Sequence, residues 1–336
     1  KKKLIYVASN LGMVKKMSKG RNFTVENQHM SQRDIFWTRV GELMREDEDI
    51  VIVTADMGTP VFDKIRTNFP HRFFNVGIAE QNCISVASGL AKEGKKPFIF
   101  NIATFAILRA FEQIRVGVSI MNLPVTIVGT GTGFSYDDAG PTHHLFEDIA
   151  AMRTLPHMTI NSVSDNVMAR KLADISREMT TPNYVRLERH INPNIYNVDD
   201  DFSDGFQIIR EGSDGCIISN GFMLWKAFDL AEQLSKSGKQ VSVIDLHTYP
   251  CDEDRLVETL ENINSVVTIE ENFLPGGMGS YVMELLGDRQ IHKNIKRFGV
   301  KQEWVYRYGG REHNHEYHGI DKKTLLEETK LFMGVK

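Results

Sequence analysis

Three short runs constrain this chain more than anything else: "DIVIVTAD" (49–56), "PFIFNI" (97–102) and "PVTIVGT" (124–130). They are almost continuously apolar, rich in β-branched residues, and do not alternate with polar positions. Such runs are buried on both faces, which is the signature of a parallel sheet covered by helices. "RFFNVG" and "NYVRLE" read as further strands. Helical patterns fall between them: "SQRDIFWTRVGELMRED" with Ser31 as cap, "AEQNCISVASGLAKEG" ending at Gly94, and the long "TFAILRAFEQIRVGVSIM". The pattern breaks in "HINPNIYNVDDDFSDG", whose Asn, Asp and Pro content reads as a linker over 191–212. A second α/β set follows: "GCIISNG", "FMLWKAFDLAEQLSKSG", "QVSVIDL", "SVVTIEEN" and "MGSYVMELLG". The expected fold class is therefore α/β, with two doubly wound domains at 32–190 and 213–336. Residues 1–31 lack periodicity and read as an N-terminal extension whose lysines are solvated.

Charge and cysteine usage narrow the function classes. A net charge of −4 argues against a nucleic-acid surface. The three cysteines, Cys83, Cys216 and Cys251, form no CxxC pair, which speaks against a disulfide framework and a thiolate zinc site and fits a reducing cytoplasm. No apolar run approaches the ~20 residues that span a bilayer, and the polar first 30 residues do not read as a signal peptide.

One residue stands out against this background. In "FFNVGIAEQN" (73–82) Glu80 is an acid among small and apolar residues, with no basic residue nearer upstream than Arg72. It follows a strand and a glycine turn and opens a helix. Ligands of open parallel sheets bind beyond the carboxyl ends of strands. A first-turn carboxylate is also favoured by the helix dipole alone, so Glu80 by itself decides nothing.

Its neighbours decide more. "FNVGIAEQN", then "GLAKEGKKPFIFNIATF", "RAFEQIR", and "DAGPTHH" with "EDIAAMRTLPHM" together resemble the pyrimidine-binding and C-terminal domains of the transketolase family. The resemblance extends to 1-deoxyxylulose-5-phosphate synthases and 2-oxo-acid decarboxylase beta subunits, and covers roughly 33–330. It implies a thiamin diphosphate enzyme in which Glu80 meets N1′ of the aminopyrimidine. That contact favours the imino form, whose nitrogen removes the thiazolium C2 proton. An isolated acid in a dry pocket, able to share a proton at neutral pH, suits the role.

Phe105, Leu108 and Phe111 recur every three residues, which places them on one side of a helix start. Spacing leaves core packing and a pocket wall equally open; the resemblance implies the wall of the aminopyrimidine pocket, with Leu108 departing from the usual aromatic. Arg109 matches the deoxyxylulose-phosphate synthase type, either stacking on cofactor or forming an ion pair. Asp56, in "TADMGTP", lines the cofactor cleft on this reading. His143 matches the histidine that contacts the donor and its developing charge. His144 stands where transketolases commonly have Gln, Ala139 where they place a hydroxyl-reading aspartate beside Asp138, and Gly131 where they place a phosphate-contacting histidine. In "TPNYVRLERH" Arg189 matches the arginine that grips substrate phosphate, with Arg186 as the adjacent candidate.

The family holds the diphosphate through Mg²⁺ or Ca²⁺, with ligands from a Gly-Asp-Gly sequence and paired asparagines. This chain has neither. The resemblance therefore implies half of a split enzyme: a separate N-terminal-half subunit supplies the metal and diphosphate site, no metal ligands fall on this chain, and the assembly is α₂β₂. The expected activity is transfer of a two-carbon ketol unit from a phosphorylated or otherwise anionic ketose to an aldehyde. Decarboxylative chemistry on a 2-oxo acid is the alternative on the same fold, and a non-catalytic assembly protein is a third reading. "LPGGMGS" is not GxGxxG, so a dinucleotide site has weak support. "REHNHEYHG", with His313, His315 and His318, reads as a solvated or subunit-facing loop rather than a metal site.

Overall fold

The computed structural model describes residues 30–335. The expected extension at 1–31 lies almost wholly outside them. The described chain forms two compact units: residues up to Thr132 with Met152–Asp200, and Gly133–Ala151 with Asp201 onward. The segment 133–151 lies between strands of the first unit in sequence yet clusters with the second.

The first unit begins with helix α1 (Gln32–Leu43). Ser31 caps it as expected, its hydroxyl accepting the Asp34 amide at 3.2 Å. The strands are β1 (Ile50–Thr54), β2 (Phe73–Asn75), β3 (Lys96–Ile102), β4 (Thr126–Thr130), β5 (Thr159–Ser162) and β6 (Asn183–Leu187). Helices α2 (Pro60–Asn68), α3 (Glu80–Lys92) and α4 (Asn166–Glu178) connect them. The strand order is β5-β6-β4-β3-β1-β2, and each of these pairings is parallel. Trp37 packs edge-on against Phe62 at 5.0 Å and Phe100 at 5.3 Å between centroids, anchoring α1 and α2 to β3. Such pairs add about 0.5–1.5 kcal/mol each beyond the area they bury.

The strand order fixes where a ligand site belongs. From β1 the chain crosses to one side, to β2; from β3 it proceeds to the other side, to β4. The crevice at the carboxyl ends of adjacent β1 and β3 is thus the topological switch point. Register aligns those ends, pairing Thr54 with Phe100 and with Asn75.

In the second unit the strands are β7 (Phe206–Arg210), β8 (Gly215–Ser219), β9 (Val241–Leu246), the two-residue β10 (Thr248–Tyr249), β11 (Ser265–Phe273) and β12 (Asn294–Val300). A five-stranded sheet runs β12-β11-β8-β9-β7, parallel except for antiparallel β7. The helices include α5 (Met223–Lys236), α6 (Met278–Asp288), α7 (Arg311–His318) and α8 (Lys322–Phe332). Two expectations are corrected here. The segment read as linker contains β7, whose Gly205 turn and single exposed edge hid a strand. The histidine-bearing tail is helix α7 rather than a solvated loop: His315 and His318 are buried, because their face packs inward.

Candidate active site

The turn into α3 is built by a side chain that sequence reasoning passed over. The Asn75 carbonyl oxygen accepts the Asp56 and Gly77 amides, both at 3.0 Å. Its amide returns a 3.0 Å bond to the Asp56 carboxylate. Asp56 itself is exposed and left-handed, with φ of 58°. This clasp ties the exit of β1 to that of β2. Gly77 adopts φ of 76°, a conformation that favours glycine. Glu80 follows as the first residue of α3 and is 5% exposed.

Glu80 is not unpaired, contrary to expectation. Arg109 Nη1 donates to its Oε2 at 2.8 Å, and the same guanidinium lies 4.4 Å over the Phe105 ring. Distance in sequence concealed the pair, which spans 29 positions and joins the exits of β2 and β3. Of the two roles open for Arg109, the ion pair is the one observed.

The helix that carries Arg109 is not a regular α-helix. Phe105–Arg109 and Ile114–Ser119 are π-wound, on either side of Phe111–Gln113. Wider turns break the three-residue stacking that the sequence suggested, and π-turns recur at functional sites. Ala106, Ile107, Ala110 and Ile114 take the core, while Phe105, Leu108 and Phe111 are half-buried. The three are thus surface-lining rather than core side chains.

The remaining candidates divide. Arg186 is buried in β6 and donates to Ser162 on the neighbouring strand, so it is not presented to a ligand. Arg189, beyond the carboxyl end of β6, is exposed. His143 and Asp138 lie on one loop of the second unit. Asp138 is exposed, Ala139 half-buried, and His143 half-buried with its Nδ1 2.9 Å from the Thr142 hydroxyl and its ring 5.6 Å from Tyr136. His144 is buried, 5.1 Å from the Phe134 ring and 5.7 Å from Phe146. Burial pushes its imidazole below the ordinary value, against the pull of Glu271 and Asp137. Its ring is thus enclosed by aromatic side chains of the second unit. Among the described residues, no three His, Cys, Asp or Glu side chains converge to hold a metal ion.

The glycine-rich turn before α6 is occupied from within. Glu270 accepts the Met278 amide at 2.7 Å and that of Gly279 at 2.9 Å. The helix N-terminus that could have taken a phosphate already holds a carboxylate.

Comparison with known proteins agrees with this fold. The model of the transketolase pyrimidine-binding domain matches residues 28–193, and that of the transketolase C-terminal domain matches 205–325. An apulose-4-phosphate transketolase subunit of Phocaeicola vulgatus is 33% identical over 312 residues, covering 90% of this chain and 99% of the relative. The chain belongs to the transketolase family. A 6-deoxy-6-sulfo-D-fructose transketolase subunit of a Clostridium species is 32% identical, covering 83% of this chain and 87% of its own. A solved split-gene transketolase, described as an inactive beta4 tetramer, superimposes with a TM-score of 0.83 at 32% identity over 91% of this chain and 99% of that one. This chain is a transferase subunit with the plan of those split chains, and its family implies use of thiamin diphosphate. Among the described residues no helix is long and apolar enough to cross a membrane.

Proposed function

We propose that this chain is the C-terminal-half subunit of a split transketolase and binds the aminopyrimidine half of thiamin diphosphate at the β1–β3 crevice. The observation that carries the reading is Glu80: a carboxylate only 5% exposed, at the strand-end edge, bonded to Arg109 of the segment that carries the half-buried Phe105, Leu108 and Phe111. A buried acid and an apolar wall fit an aromatic ring with one basic nitrogen. When bound, the cofactor supplies the electron sink for cleaving a ketose next to its carbonyl. Glu80 would meet the ring N1′, and the apolar wall would keep water from that contact. Arg109 would give up Glu80 to the ring. Asp56, clasped by Asn75, lines the cleft.

His143 contacts the donor and stabilises its developing hydroxyl charge, with Asp138 nearby on the same loop. Arg189 grips the anionic end of the donor, its fork matching phosphate or sulfonate oxygens. The sugars named for the two relatives above are both anionic, which supports such a donor. With neither Gly-Asp-Gly nor Asn-Asn in the chain, the metal (Mg²⁺ or Ca²⁺) and diphosphate sites are assigned to a partner subunit in an α₂β₂ cytoplasmic assembly. Titrating thiamin diphosphate and Mg²⁺ into this chain, into its partner and into the mixture tests the reading. Tight metal-dependent binding is expected in the mixture; equal binding by this chain alone would overturn the division of the site.

A further inference from the structure

The loop that carries His143 is fastened by a buried carboxylate that the reaction does not touch. The loop closes on itself where Gly133 and Leu145 exchange amide bonds of 3.0 and 3.1 Å. Directly beneath lies Glu271 of β11, 6% exposed. Its carboxylate accepts the Phe134 amide at 3.1 Å and Arg311 Nε at 2.7 Å, and also meets Arg311 Nη2 and His315 Nε2. Burial would push this carboxyl up, but the Arg311 charge and bonds, with His315, hold it at about 2. The fit at Gly133 is close: a Cβ there would lie 2.0 Å from Glu271 Oε2.

The same cluster reaches the rest of the loop. The Arg311 backbone amide donates to Asp137 at 2.8 Å, while its guanidinium lies 3.5 Å over Phe222. Phe134 stands 5.5 Å from His318 and 4.7 Å from Phe146. Next to Glu271, Asn272 Nδ2 donates to the Phe146 carbonyl at 3.1 Å and to Asp148 at 2.9 Å, securing the far end of the loop. Buried Lys226 braces the cluster from α5, donating to Glu312 at 2.9 Å and to the Ile320 carbonyl at 3.3 Å. Consecutive residues of β11 thus have separate tasks: Glu270 caps α6, Glu271 holds the loop's beginning and Asn272 its end.

We propose that Glu271, with Arg311, is a positioning residue for catalysis: it sets the Gly133–Leu145 loop so that His143 meets the donor. This rests on the role given to His143 above. It assigns the C-terminal unit a part in the chemistry through the loop it holds. A fork of two bonds fixes both position and orientation of a buried carboxylate, and a displacement of about 1 Å in a reacting group costs about 100-fold in rate.

The test uses the complex with its partner subunit and compares Glu271→Gln, Arg311→Lys and His143→Ala. Three readouts are taken: amide hydrogen exchange over residues 133–146, the dissociation constant of thiamin diphosphate, and kcat with KM for the donor. For Glu271→Gln, exchange at Phe134 and Leu145 is expected to quicken about tenfold or more as local opening becomes easier. Cofactor affinity should stay as in wild type, and kcat/KM should fall by about 100-fold. Arg311→Lys, which keeps the charge and loses the fork, should fall between and serves as the test if Glu271→Gln does not fold. Unchanged exchange over 133–146 in both variants overturns the proposal, as does quickened exchange with wild-type kcat/KM while His143→Ala is inactive. Wild-type turnover in His143→Ala overturns the reading of His143 instead, and the exchange data still decide whether Glu271 holds the loop.

Discussion

Arg109 Nη1 lies 2.8 Å from Glu80 Oε2, and the guanidinium that makes this bond rests 4.4 Å above the Phe105 ring. Glu80 is almost fully buried, whereas the Arg109 side chain is 48% exposed. The acid is fixed by the fold and its partner is a long side chain at the surface. A ligand that needs Glu80 competes with a group that can withdraw at little cost, since half-exposed ion pairs contribute only about 0.2–1 kcal/mol.

Arg109→Met should therefore tighten thiamin diphosphate binding in the assembled enzyme by about 1.5- to 5-fold, the fold-change equivalent of that pair energy. Methionine keeps the apolar cover over Phe105 and removes the competitor. Isothermal titration calorimetry reads the effect directly. Weaker binding would mean that the guanidinium itself holds the cofactor.

Glu80→Gln keeps the shape of the side chain and removes its capacity to hold a mobile proton. Turnover should fall by at least about 100-fold, in the range expected for a positioned acid or base, while gel filtration with the partner subunit remains as in wild type. Substantial residual turnover would sink the role given to Glu80.

The layered α/β plan was legible because it is written in local pattern. β1, β3 and β4 are nearly unbroken apolar runs, and helix ends are marked locally, by the Ser31 hydroxyl and by the positive φ of Gly94. Glu80 was legible too, as an acid out of keeping with its neighbours. What escaped notice is what joins distant positions. Asn75 looks like any strand-end polar residue until Asp56 and Gly77 turn toward it. Arg109 lies 29 residues from Glu80, and Arg311 lies 40 from Glu271. β7 sits in polar surroundings at a sheet edge, with only Phe206 of "FQIIR" fully buried. The inward face of α7 is built from Arg311, Asn314, His315 and His318, which no hydropathy pattern marks as core.

Gly277 offers a test of packing at the α6 turn. The Glu270 carboxylate fills the helix N-terminus, and a Cβ on Gly277 would lie 2.1 Å from Oε2. Gly277→Ala should lower stability by about 1–3 kcal/mol, as overpacking does in a close-fitted interior. The urea midpoint measures this, and an unchanged midpoint would show that the turn can yield.

His247 gives the second unit a predictable response to acid. The ring is fully buried, 5.5 Å from Phe202, with Nδ1 2.8 Å from the Thr248 hydroxyl. Burial pushes its imidazole down to about 3. The folded state thus keeps it neutral where the unfolded chain, titrating near 6.5, takes up a proton. Its stabilising effect is complete above pH 6.5 and is lost as pH falls, by about 1.4 kcal/mol for each unit until the folded ring titrates. His247→Phe retains a ring beside Phe202 and cannot titrate. At pH 7 the variant should be less stable by about 1 kcal/mol, for the lost bond to Thr248. At pH 5 the difference should shift by about 2 kcal/mol in favour of the variant, one and a half pH units below the unfolded value. Urea midpoints at the two pH values decide it; a difference that stays constant between them would show that the folded ring takes up a proton as readily as the unfolded one.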